Sequence, residues 1–351
     1  MDTTLLTTLA PALATFIVGI LITPLITHYL YHFKVWKKQG GKQALGGHDA
    51  TEFNRLKGAD ETKTPRMGGL VIWGSVAIVT LGGFLISELT GESGSSISFL
   101  SRSQTWIPFS AMLVGAIIGF MSDFYDITHD GKGLRLSARL GLITILSLVL
   151  GWWFYTKLGV TDINLPFGDV LTIGWLIIPF YITLTIALYA SGVIDGIDGL
   201  SGGVFASVFA AYTGVALLNG QFELASFSAA IVGGIIAFLW FNIPPARFWM
   251  TETGSMALTL TLASIVFMTD SLGGGNGILL LPLIGLPLLA TVISNVLQIS
   301  YRRMYGRKLF RIAPLHHHFE AIGWPSYKVT MRYWLISLIC AVLGVITATL
   351  I

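Results

Sequence analysis

The chain has 351 residues, 54% of them apolar and 11% charged, with 21 Lys and Arg against 18 Asp and Glu and a mean hydropathy of +0.75. A typical soluble domain carries roughly 25% charged residues, so this balance excludes a soluble domain and indicates a membrane protein. The single cysteine, Cys340, excludes a disulfide framework or a thiolate metal cluster.

Runs long enough to cross about 30 Å of hydrocarbon need roughly 17–25 residues each. In chain order they fall at 9–31, 67–89, 106–124, 137–155, 170–190, 200–218, 224–241, 254–268, 277–300 and 331–351. The expected fold class is therefore an all-α polytopic membrane protein of about ten transmembrane helices, with residues 1–351 forming one integral-membrane domain. No basic residue precedes the first run, whereas Lys34, Lys37 and Lys38 follow it. That argues against a cleaved signal and places the N-terminus outside.

With ten alternating spans, one side collects the loops 31–66, 122–137, 191–200, 242–253 and 301–332. Counted in that order they hold eight, two, no, one and seven Lys or Arg residues, and beyond them only Arg102, Arg139 and Lys157 remain. Such a bias makes this side cytoplasmic and both termini extracytoplasmic. The same loops hold Asp123, Asp126, Asp195, Asp198, Glu252 and the run His316, His317, His318, while the opposite loops offer little comparable chemistry. A cytoplasmic active face is expected.

Five motifs lie on that face: "TPRMGG" at 64–69, "GFMSDFYD" at 119–126 with "KGL" at 132–134, "DGIDGLSGG" at 195–203, "FNIPPARFWMTETGS" at 241–255, and "GRKLFRIAPLHHHFEAIGW" at 306–324. Their order resembles the polyprenyl-phosphate N-acetylhexosamine-1-phosphate transferase superfamily. Within it, "APLHHHFE" followed by "GWP" is similar to the phospho-N-acetylmuramoyl-pentapeptide transferases. The resemblance implies a Mg²⁺-dependent enzyme of the bacterial cytoplasmic membrane that serves peptidoglycan synthesis. It would transfer phospho-MurNAc-pentapeptide from UDP-MurNAc-pentapeptide to undecaprenyl phosphate, giving lipid I and UMP. Its partners would be those two substrates and the surrounding membrane lipids, with no nucleic acid; the family often pairs, so a homodimer is an expectation.

Joining two anionic phosphates needs charge neutralisation and positioning above all. Mg²⁺ suits a sparse all-oxygen site made by one or two carboxylates and substrate phosphates; Asp123 and Glu252 are the carboxylates best placed for it. Asp195 and Asp198 stand three apart, which on a helix puts them on one face, and the resemblance assigns their segment to uridine recognition and the catalytic centre. The alternative is that they cap the sixth span. Trp249 could stack on uracil or belong to the interfacial aromatic belt.

Three successive histidines cannot converge from regular helix. With Pro314 before them, an irregular or helix-start geometry would let two reach phosphates while the third holds the loop, or they could serve a transition metal. Asn242, Ser122 and Lys132 complete the expected substrate contacts. The chain also departs from the family pattern. Ser122, Asp123 and Asp126 stand where two adjacent aspartates and a later lysine are usual. Glu252 replaces an aspartate, Gly192 an asparagine, and Glu61 falls near an expected lysine. These changes leave two alternatives open: a homologue that binds lipid phosphate or a UDP-sugar with impaired catalysis, and a transferase for another UDP-N-acetylhexosamine.

Overall fold

The computed structural model describes residues 2–38, 41, 60–90, 98–129 and 133–351. Among them nine helices are long and apolar enough to cross a bilayer, and a bent pair of helices makes ten if it is one broken span. The chain is a multi-pass, all-α membrane protein. In order, the helices are α1 (Asp2–His32), α2 (Gly69–Thr90), α3 (Trp106–Thr128), α4 (Leu136–Thr156), α5 (Ile177–Ser191), α6 (Leu200–Leu218), α7 (Phe222–Asn242), α8 (Thr251–Met268), α9 (Gly277–Ile284), α10 (Leu286–Tyr305), α11 (Leu315–Ala321) and α12 (Ser326–Leu350).

Two of the expected spans differ in form. The one expected at 170–190 begins late, because residues 162–164 and 170–172 form a two-stranded antiparallel hairpin, β1 (Asp162–Asn164) and β2 (Val170–Thr172), with Ile163 opposite Leu171. Pro166 and Gly168, the latter at φ +85°, turn the hairpin, and Gly174 at φ +57° ends it before the helix starts. The span at 277–300 is bent by 73° between α9 and α10. Pro287 stands in the first turn of α10 and has no N–H to donate back across the break.

Helix α8 is the centre: 89% of its span is buried, against 17% for α4 and 22% for α1. Its sequence, TETGSMALTLTLASIVFM, is rich in small residues that let neighbours approach, which drives packing where lipid offers no hydrophobic contrast. The contact with α3 is the tightest example: a Cβ on Gly119 would overlap the Glu252 carbonyl, and one on Gly69 of α2 would overlap Gly254. At the periphery, α1 shows the inverted pattern of a lipid-facing helix. Leu9, Leu13, Leu21 and Leu25 face outward while Thr8, Thr15 and Thr23 are fully buried. Pro11 lies within α1; the Thr7 carbonyl it cannot bond is reached at 3.5 Å by the Ser226 hydroxyl.

Candidate active site

The loops after α1, α3, α5, α7 and α10 meet at one end of the bundle, and their backbones are laced together. Arg66 N–H donates to the Val35 carbonyl at 2.7 Å, Trp249 N–H to Pro65 at 2.9 Å, and Gly68 N–H to Trp249 at 2.7 Å. Asn242, 2% exposed, is a strut in this lattice: its Oδ1 accepts from Gly199 N–H and its Nδ2 donates to the Phe248 carbonyl. The segment 64–69 and the segment 246–251 are thereby held as one unit against the start of α8.

Asp123 is the hub. It is 1% exposed, and its Oδ2 accepts from the Thr251 hydroxyl at 2.6 Å, the Thr253 hydroxyl at 2.7 Å and Thr253 N–H at 2.8 Å. A carboxylate of α3 thus caps the N-terminus of α8, where the helix dipole and the orphan N–H groups favour negative charge. Its Oδ1 faces Arg66 Nη2 at 3.4 Å, and Arg66 Nη1 lies 3.3 Å from Asp126. Burial works against the charge on Arg66, but Asp123 and Asp126 more than offset it and raise the guanidinium above its ordinary pKa. Ser122 is buried beside Asp123 on α3. Glu252 lies between the two threonines that hold Asp123 and makes an ion pair with Arg139 of α4.

Asp195 and Asp198 do not share a helical face: the chain between the 3₁₀ turn at 192–194 and α6 is a sequence of turns, with Gly199 at φ +75°. Nor do they cap the sixth span, because Gly199 is the N-cap of α6 and no side chain caps it. Asp195 takes the Ser201 hydroxyl at 2.7 Å and Thr251 N–H at 2.8 Å, while Asp198 takes Trp249 Nε1–H at 3.0 Å and Ala246 N–H at 3.1 Å. The Trp249 indole N–H is directed to Asp198, and the ring is half-buried.

The three histidines fall in the first turns of α11. His316 and His317 are buried with ring centroids 4.4 Å apart, and both lie against Gly196, whose missing Cβ would stand 2.9 and 2.5 Å from their Nε2 atoms. His317 Nδ1 pairs with Glu320 at 2.7 Å. His318 turns the other way, where its Nδ1 accepts the Arg311 N–H at 3.2 Å. Burial and the nearby Arg311 lower its pKa, which suits an accepting, neutral ring. Trp334 of α12 closes the arrangement by donating to the Gly199 carbonyl at 2.9 Å. Lys132 lies outside the described residues; Gly133 N–H, next to it, donates to Asp126.

Arg66, Arg139, Thr251 and Thr253 join the site without having been expected from the motifs. Thr251 carries a further signal in its backbone: φ is +54°, an outlier for a β-branched residue, and Met67 opposite it is at +66°. Both threonines flank Glu252 in "TETGS", so their place was readable, but a hydroxyl in a span-end motif has many ordinary uses.

Among the described residues no group of three or more His, Cys, Asp or Glu side chains is placed to hold a metal ion. Asp123 and Glu252 offer hard oxygens of the kind Mg²⁺ takes, and in a sparsely held site substrate phosphates would complete the shell. Each of these carboxylates already faces an arginine.

A family model described as glycosyl transferase family 4 matches residues 70–270. The phospho-N-acetylmuramoyl-pentapeptide-transferase of Desulfitobacterium hafniense is 36% identical over 299 residues, 81% of this chain and 83% of that protein. Proteins of the same name from Clostridium botulinum and Anoxybacillus flavithermus are 31% and 32% identical, over 81% and 80% of this chain and 82% and 83% of their own lengths.

Proposed function

The chain belongs to glycosyl transferase family 4, and on that premise we propose that it transfers phospho-MurNAc-pentapeptide from UDP-MurNAc-pentapeptide to undecaprenyl phosphate, releasing UMP. The observation that carries this reading is the interlocking of five loops around Asp123 at one end of the bundle. The excess of Lys and Arg in the loops of that end supports reading it as the cytoplasmic end in a bacterial inner membrane, with both termini on the other side.

In the reaction an oxygen of the lipid phosphate attacks the sugar-side phosphorus of the donor. The new P–O bond forms as the pyrophosphate bridge breaks, and its electron pair leaves on UMP. The lipid phosphate is a competent nucleophile near neutral pH, so no added base is required. Asp123 and Glu252 would hold Mg²⁺, and the chemistry it would supply there is neutralisation of phosphate charge. The protein's own work is positioning. Asp195 and Asp198 fix Thr251 and Trp249 and so shape the wall for the uridine, with Asn242 bracing it. His316 and His317, packed where Gly196 leaves room, donate to phosphate oxygens, and His318 holds their loop.

Purified protein supplied with UDP-MurNAc-pentapeptide, undecaprenyl phosphate and Mg²⁺ should release UMP, and should release far less with UDP-GlcNAc. Release from UDP-GlcNAc alone would reassign the sugar. A second reading, a binding protein without turnover, is favoured by one observation: Arg66 and Arg139 already neutralise the two carboxylates, and Ser122 is not an acid. Nucleotide binding indifferent to Mg²⁺, with no UMP formed, would select it.

A further inference from the structure

Arg66 is aimed as few surface arginines are. Its backbone is fixed on both sides by Val35 and by the Thr251 hydroxyl that receives Met67 N–H, its side chain is 14% exposed, and its fork spans Asp123 and Asp126. Its Nε–H is buried and, among the described residues, has no hydrogen-bond partner. Asp126 lies one helical turn from Ser122 and Asp123 on α3, so all three stand on one face.

The family resemblance implies two adjacent acids and a lysine on this helix; here there are two acids, Asp123 and Asp126, and the cation comes from the loop before α2. The implied and the observed arrangement each carry one net negative charge, with the second acid at 126 rather than 122 and the positive charge on Arg66 rather than at 126. The exchange has a parallel nearby. Glu61 falls near another expected lysine, and it is 3% exposed with Lys37 of the preceding segment 3.7 Å away. In a desolvated cluster an acid substituted for a lysine is tolerated only if a cation arrives from elsewhere.

We infer that Arg66 and Asp126 are a transposed charge pair: Arg66 supplies the positive charge of the third-span motif and acts as the positioning residue for Asp123, while Asp126 is its second acid. The inference rests on the transferase reading. It makes the apparent defects at Ser122 and Asp126 one coordinated change, and predicts a competent site.

The test compares purified wild type, Arg66→Gln, Asp126→Lys, Arg66→Lys and the triple variant Arg66→Gln, Ser122→Asp, Asp126→Lys, reading kcat and KM for UMP release and the melting temperature of each. Each of the first two single changes should lower kcat by roughly 100-fold or more, with a smaller change in KM for the UDP donor, because a buried charge loses its partner. Arg66→Lys keeps the charge without the fork and should retain activity to within about tenfold. The triple variant, which puts the charges back on the helix, should recover most of the kcat lost by either single change. Unchanged kcat in Arg66→Gln, or a triple variant no better than the worse single one, overturns the inference while wild-type turnover keeps the transferase reading. A wild type that releases no UMP sinks that reading instead, and the melting temperatures then decide the exchange: losses that the triple variant restores support it, and losses that simply add overturn it.

Discussion

Asp270 is the residue whose environment most sharply separates pH conditions. It follows α8, at the end of the bundle opposite the five loops, and is 1% exposed. Burial pushes its carboxyl up to about 6, although N–H groups of Asn164, Ile278 and Ser271 pull the other way. Between the ordinary carboxylate value and about 6 the folded chain holds a proton that the unfolded chain releases. Its full penalty, about 3 kcal/mol, is therefore present above pH 6 and fades as pH falls toward 4. The melting temperature in detergent should rise as pH drops through that window, and Asp270→Asn should abolish the rise; an identical pH profile in the variant would rule this out. Nothing in the sequence pattern marks Asp270. The opposite loops looked chemically empty, yet Asn164, Asn219 and Gln221 join Asp270 there in satisfying backbone groups around the ends of α8 and α9. Single polar residues in short loops have no periodicity to betray them, whereas Asp123, Asp195, Asp198, Glu252 and the histidines were legible because each sits in a long motif. Even so, motif spacing could not show that Asp195 and Asp198 occupy turns, or that a loop arginine faces Asp123.

At the level of elements, the site depends on how closely α3 and α8 approach. Gly119 lies against the Glu252 carbonyl with no room for a Cβ, so Gly119→Ala must push the helices apart. Overpacking of this kind costs about 1–3 kcal/mol. It should also shift the start of α8 away from Asp123, so UMP release should fall more steeply than the melting temperature suggests. Full activity in Gly119→Ala would mean that the α3–α8 contact does not set the site. Helix positions were legible in the sequence because an apolar run of about twenty residues matches the thickness of the hydrocarbon it must cross. Departures arose where local chemistry overrides hydropathy: the hairpin's second strand, 170–172, is apolar enough to be read into a span, and the bend before Pro287 leaves hydropathy unchanged. Which helix is central was not legible at all, since α8 is the least apolar of the nine spans and yet the most buried.

For the molecule as a whole, the apolar helices divide the described polar residues into two ends with different tasks. One end is a lattice of carboxylates, arginines and imidazoles; the other is a cap of amides and one carboxyl around α8 and α9. A transferase of this design requires the first end to face the cytosolic donor. The decisive experiment is lipid I formation in sealed vesicles given membrane-impermeant UDP-MurNAc-pentapeptide on one side only. In a Cys340→Ser background, exposed Leu309→Cys reports the loop end and exposed Phe167→Cys the hairpin end to an impermeant thiol reagent. Lipid I should form only when the donor shares its side with residue 309, and in cells that side should be cytoplasmic. Formation only when the donor shares its side with residue 167 would put the chemistry at the wrong end of the bundle and overturn the assignment of the five-loop site.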